Sequence, residues 1–199
     1  RTRLFNRPFD PLEDHNWKIL MVARSGILQH MIKEISKIIY EMQSNVEVTE
    51  AVVLKRYFSD VPELRMRESC SLPLVKTIYA RTPYPSNKGE LEKNFLIFCD
   101  NDSNTEAFVK IDEHYHTFAG LTYIRTDGML STYFPDFMVK TREHVYLVET
   151  KAQDQLDQAN VKQKQLGAID WVSKVNELEP EDRMNRQWRY VLLGEETFY

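Results

Sequence analysis

Two carboxylates and an ammonium lie close together in the sequence, at Asp136 after Pro135 and at Glu149-Thr150-Lys151. Both stretches otherwise read as sheet, Phe134 to Lys140 and Val145 to Lys151, around a turn from Thr141 to His144. Side chains alternate along a strand, so Leu147, Glu149 and Lys151 share one face and Tyr146, Val148 and Thr150 the other. The short turn then brings Asp136 near Glu149 across the pair. Carboxylates that meet raise each other's pKa unless a cation lies between them. An oxygen-only donor set, with no Cys or His pair nearby, suits Mg²⁺ better than Zn²⁺. Such an ion lowers the pKa of its water and polarises a phosphoryl oxygen. Lys151 beside it would hold the attacking water or the phosphate and offset charge developing in the transition state. Asp136, Glu149 and the Thr150 carbonyl are the expected metal ligands.

A third carboxylate comes from the stretch "GELEKNFLIFCDNDS", which reads as a helix whose second half, Phe95 to Cys99, is apolar all round and hence expected to be buried. Glu92 has Phe95 and Leu96 three and four positions onward and lies toward the core, whereas Glu90 has Lys93 and Asn94 there and faces water. Glu92 is therefore the catalytic candidate, holding a second metal or orienting water. A long helix expected from Asp154 to Leu178 carries the stripe Val161, Ala168, Val172 and Val175, interrupted by Lys164 or Gln165. Polar groups on a packed stripe suggest contact with substrate, and a snorkelling lysine is the plainer reading.

Several elements must position these residues. Ser25 to Gln43 has apolar residues at helical spacing and predicts a one-faced helix that packs on something. "VEVTEAVVLKRYF" is ambiguous between strand and helix. A boundary is expected between Thr82 and Gly89, among prolines, which divides a mainly helical lead-in over 1–81 from a domain over 82–199. "EAFVKI" and "GLTYIR" read as strands, Asp127-Gly128 as a hairpin turn, and "WRYVLLG" as a last strand. A strand reached across a helix runs parallel to its neighbour, so the expected fold class is α/β, a mixed central sheet flanked by helices.

The chain has 199 residues, 42% of them hydrophobic, enough for one sizeable domain with an appendage. A formal net charge of −4 argues against a protein that coats phosphates nonspecifically, although an acidic metal site would itself contribute negative charge. Cys70 and Cys99 are too few for a disulfide framework and lack zinc spacing, so a reducing cytoplasm and a packing role are expected. No apolar run reaches the roughly 18 residues of a membrane span. The opening "RTRLFNRPFDPLEDHNW" reads as the interior of a longer polypeptide.

Other features compete for attention. His114 and His116 would share a strand face without a third ligand, and His144 falls in a turn. Arg183, Arg186, Trp188 and Arg189 mix cations with an aromatic, as nucleic-acid surfaces do, or mark a helix end leading into a buried strand. Asp136 and Glu149 as the acid and base of a glycosidase would leave Lys151 without a task.

Glu-x-Lys and Pro-Asp each occur once here in the relevant form, on adjacent expected strands between two helices. Glu92 in a helix, then Pro135-Asp136, then Glu149-Thr150-Lys151, a helix and a strand resembles the PD-(D/E)XK nuclease superfamily. "YPSNKGELEKNF", "YFPDF", "YLVETKA", "VKQKQLGAIDW" and "WRYVLL" are similar to the C-terminal endonuclease domain of the restriction (Res) subunit of type III restriction-modification enzymes. The likeness covers Tyr84 to Tyr199 and continues weakly upstream to Ile27. It implies a restriction-endonuclease-like core, Mg²⁺-dependent cleavage of double-stranded DNA, a methyltransferase/specificity (Mod) subunit as partner, and an ATP-driven, helicase-like motor in the same polypeptide. No Gly-x-x-x-x-Gly-Lys-Ser/Thr phosphate loop occurs in these residues, so ATP would serve only that motor. The alternative is a catalytically silent nuclease-like module that binds DNA or acts as a scaffold.

Overall fold

A computed structural model describes residues 3–4, 7–8, 10, 12–22, 26–44, 53–87 and 90–199. Gly89 and the stretch from Val46 to 52 lie outside the described residues. In chain order the elements are β1 (Arg3–Leu4), β2 (Arg7–Pro8), α1 (Trp17–Leu20), α2 (Ile27–Ser44), β3 (Ser71–Leu72), β4 (Thr82–Pro83), α3 (Glu90–Asn101), β5 (Thr105–Lys110), β6 (Leu121–Ile124) and β7 (Leu130–Tyr133). They are succeeded by β8 (Phe137–Thr141), β9 (His144–Lys151), α4 (Ala159–Glu177), β10 (Gln187–Gly194) and α5 (Glu195–Phe198). The fold is mixed α/β.

The central sheet has the order β10-β9-β8-β5. β5 and β8 are antiparallel, as are β8 and β9, while β10 runs parallel to β9 after the α4 crossover. The β6–β7 hairpin turns through Gly128 at φ +79°, a conformation that favours glycine, and forms its own two-stranded sheet rather than extending the central one.

Each face of the sheet has its own core. On one, Phe95, Leu96 and Cys99 of α3 pack with Phe108, Phe137, Val139 and Val148. On the other, Ala168 and Val172 of α4 pack with Leu121, Tyr123, Tyr133 and Leu147. Close approach of α4 to β6 requires Gly167, where an added Cβ would stand 2.8 Å from Tyr123 Cβ. Only part of the apolar run in α3 is buried: Ile97 and Phe98 are exposed, because successive helical residues turn by about 100° and five in a row cannot share one face.

Three further expectations are corrected. The described part of the lead-in from 53 to 81 is not helical: it holds two 3-10 turns and β3, with Pro62 and Pro73 interrupting any helical period. α4 begins at Ala159 rather than Asp154, which belongs to a separate 3-10 turn, Gln153–Gln155. His114 and His116 share no strand face: Asp112 to His116 forms a turn, with His116 fully buried and His114 exposed. α2 meets β6 and β7 yet leaves Leu28, Met31, Ile35 and Ile38 exposed. The segment before Thr82 is joined to the rest of the chain through β3–β4 pairing and the packing of Leu72 and Leu74 on the α3-side core. Among the described residues no helix is long and apolar enough to cross a membrane.

Candidate active site

Antiparallel register pairs Phe137 with Val148, so the residue before β8, Asp136, falls opposite the Glu149 end of β9. Pro135 is fully buried, and the Asp136 carbonyl accepts a 2.8 Å bond from the Ile111 N–H, which ties this junction to the end of β5. Oδ2 of Asp136 accepts from both the Thr150 N–H and the Thr150 hydroxyl, each at 2.7 Å. Two donors on one oxygen fix the carboxylate's rotation and leave Oδ1 for a further ligand.

Glu149 is buried, with its side chain only 4% exposed. Lys151 Nζ lies 2.6 Å from Oε1, while Oε2 has no hydrogen-bond partner among the described residues. Burial pushes the Glu149 pKa up to about 7, the Asp136 charge adds to that, and the ammonium groups of Lys151 and Lys164 oppose it. For Lys151, burial acts to lower the pKa, but the charges of Glu149 and Asp136 outweigh it and hold the group protonated above its ordinary range. The same Nζ donates to the Thr150 carbonyl at 3.0 Å. Lys164 Nζ sits 5.3 Å from the centre of the Tyr133 ring, on the site's side of α4, and Gln165 beside it is half-buried.

Glu92 is placed differently. Its carboxylate is ion-paired with Lys110, whose ammonium lies 5.0 Å from the Phe137 ring centre on the α3 face of the sheet. Only its longer-range charge reaches Lys151. The structure thus brings Asp136, Glu149, Thr150 and Lys151 together and leaves Glu92 at the margin.

Whether these groups suit a hard dication can be judged from their atoms. Among the described residues no three Asp, Glu, His or Cys side chains group closely enough to hold a metal; two carboxylates meet here. Mg²⁺ needs no more than one or two carboxylates when water and phosphate complete its shell, and Oε2 of Glu149 is a buried carboxylate oxygen with no hydrogen-bond partner among the described residues. The donor set fits. Lys151 now rests on Glu149 and the Thr150 carbonyl, two of the three expected ligands.

Of the basic and aromatic cluster before β10, Arg183, Arg186 and Trp188 have structural employment, while Arg189 is exposed. Arg186 donates to the Thr141 carbonyl and pairs with Glu106, Arg183 caps the Leu178 and Arg186 carbonyls, and Trp188 Nε1 donates to the Arg183 carbonyl. This cluster anchors the entry to β10. His144 opens β9 and packs on Tyr146. Burial pushes the Cys99 thiol up to about 12, as expected of a packing residue. Sequence reasoning passed over Lys110, Tyr133 and Tyr190. A tyrosine in an otherwise apolar strand position, carrying a hydroxyl that must find a partner, was the available signal for the last two.

Comparison of the chain with protein-family models, with curated proteins and with solved structures gives no match in any of the three.

Proposed function

We propose that this chain is a Mg²⁺-dependent endodeoxyribonuclease module with a PD-(D/E)XK core, of the kind that closes the restriction subunit of type III restriction-modification enzymes. The observation that carries the reading is the meeting of Asp136, Glu149 and Lys151 at one end of a mixed sheet, with one buried carboxylate oxygen unpartnered. The order of elements supports it: helix α3, strand β5, antiparallel β8 and β9, crossover helix α4 and parallel β10.

Mg²⁺, when bound by Asp136, Glu149 and the Thr150 carbonyl, supplies a water of lowered pKa and a Lewis acid for the phosphoryl oxygen. The chain's own groups do the rest. Thr150 locks Asp136 in one rotation, so no reorganisation is needed at that carboxylate. Lys151, kept protonated by the two acids, offers its ammonium to a phosphate oxygen and offsets charge as it develops there. Lys164 presents a second ammonium toward the DNA backbone, and Gln165 is its neighbour in that role. Glu92 acts, on this reading, through water or a second ion, and its bond to Lys110 makes it the outermost member. Double-stranded DNA is the substrate, with a methyltransferase/specificity (Mod) subunit and an ATP-driven motor as the partners this class of module serves.

A second reading, a silent nuclease-like module that binds DNA or acts as a scaffold, is favoured by the Lys151 contact that closes over Glu149 and Thr150. Mg²⁺ titration calorimetry on the chain and on Asp136→Ala, each with and without a linear DNA duplex, separates the two. Heat of binding in the wild type that vanishes in the variant is the expected result. A wild type that takes up no Mg²⁺ even with DNA present leaves the silent module standing.

A further inference from the structure

Helix α2 meets the rest of the chain along one edge and leaves a more apolar edge in water. It contacts β6 and β7, and from Leu28 to Met42 only Ile32, Ser36 and Tyr40, four residues apart, are buried or half-buried. Lys33 beside them lies along the Gly128 turn. Leu28, Met31, Ile35, Ile38, Ile39 and Met42 are centred roughly 120° away around the helix, and each is between 39% and 68% exposed. A single aliphatic side chain in water needs no explanation, but six along one helix edge do.

Their spacing defines the kind of partner. Leu28, Met31, Ile35, Ile38 and Met42 follow one another at three, four, three and four residues, the repeat by which one helix seats another. No polar or charged side chain interrupts that seam, so nothing in it calls for a complementary sequence, and the same edge of a second copy fits it. Glu41 on its border is paired along its own helix with Lys37, 3.8 Å away, which offsets its repulsion of a like helix. A membrane surface fits less well: the polar side of α2 sets Glu34 and Glu41 among Lys33 and Lys37, without the basic excess that anionic lipid attracts. The six side chains leave on the order of 500 Å² in water, at the upper end of what a monomer exposes in one patch. Two such edges pressed together remove about 1,000 Å², the size from which a specific interface becomes stable.

We propose that α2 is a dimer interface, its Leu28-to-Met42 edge pairing with the same edge of a second copy of this chain. The pairing does not depend on the endonuclease reading.

Sedimentation velocity of the whole chain tests it. The wild type is expected to pass from monomer to dimer between about 1 and 100 µM, as an interface near the lower size limit implies. Ile35→Glu puts two carboxylates in the middle of the paired seam and is expected to weaken association at least about 100-fold. Ile35 is already 52% exposed, so this variant is expected to keep the circular dichroism spectrum of the dilute wild type; Met31→Lys, at another seam position, takes its place if it does not. His30→Ala, exposed and off the seam, is expected to dimerise as the wild type does. A wild type that stays monomeric at the highest concentration overturns the proposal and leaves the edge to a helix of a different chain. Ile35→Glu that associates as tightly as the wild type, or His30→Ala that loses association equally, overturns it too, because the copies then meet elsewhere.

Discussion

A Glu–Lys pair lies on each face of the sheet near the same end of β8, Glu92 with Lys110 on the α3 side and Glu149 with Lys151 on the α4 side. The first is complete in itself. One carboxylate meets one ammonium, the Phe137 ring lies beneath the lysine, and both side chains keep some contact with water, 20% and 16% exposed. The second is not. Glu149 is almost wholly buried, Asp136 adds a second negative charge beside it, and one of its oxygens has no partner. Deep burial penalises a charged carboxylate, which separates an ion pair that holds a helix to a sheet from one whose glutamate has its pKa pushed up to about 7.

The largest effect is expected from breaking the second pair. Lys151→Ala and Asp136→Ala should each reduce Mg²⁺-dependent cleavage of a DNA duplex by a factor on the order of 10²–10³, with the circular dichroism spectrum of the wild type retained. Cutting at wild-type rates by either variant would sink the assignment. Glu92→Gln sharpens the contrast from the other side. Its pair with Lys110 closes on itself, so the expected loss of cleavage is less than about tenfold, accompanied by a drop in stability of about 1 kcal/mol. A loss as large as that of Asp136→Ala, at unchanged melting temperature, would instead move Glu92 into the centre of the site.

Much of this contrast could be read from the sequence on one side only. The alternation of Val145 to Lys151 and the short Thr141 to His144 turn were enough to place Asp136 and Glu149 together, because strand period and turn length are local properties. The parallel β10 was legible from its helical crossover. Lys110 as the partner of Glu92 was not legible: β5 lies beside β8 only in the folded sheet, and nothing local marks a lysine as paired. The same holds for the detached β6–β7 hairpin, since an alternating stretch shows that it is a strand and not which strand it joins. Tyr133 and Tyr190 come together from two different sheets, across a distance in sequence that no period spans.

The smallest expected effect belongs to a third polar cluster, closed like the Glu92 pair but neutral. His116 is fully buried; Nδ1 accepts from the Asp112 N–H at 2.9 Å, and Nε2 meets the Tyr79 hydroxyl at 2.9 Å. That hydroxyl in turn donates to the Val61 carbonyl at 2.9 Å, so the proton between ring and phenol belongs to Nε2 and the imidazole is neutral. A second proton would have to go on Nδ1, where a backbone N–H already points. Burial lowers the His116 pKa, with Asp112 opposing it. A histidine whose pKa is lower folded than unfolded takes up a proton on unfolding, so its contribution to stability is complete above the unfolded pKa of about 6.5 and declines as pH falls below it. The melting temperature is therefore expected to drop between pH 7 and pH 5, and His116→Asn, although less stable at neutral pH, should lose less over that interval. Parallel slopes for the two proteins would show that His116 accepts its second proton in the folded state, and that this cluster is less closed than its hydrogen bonds indicate.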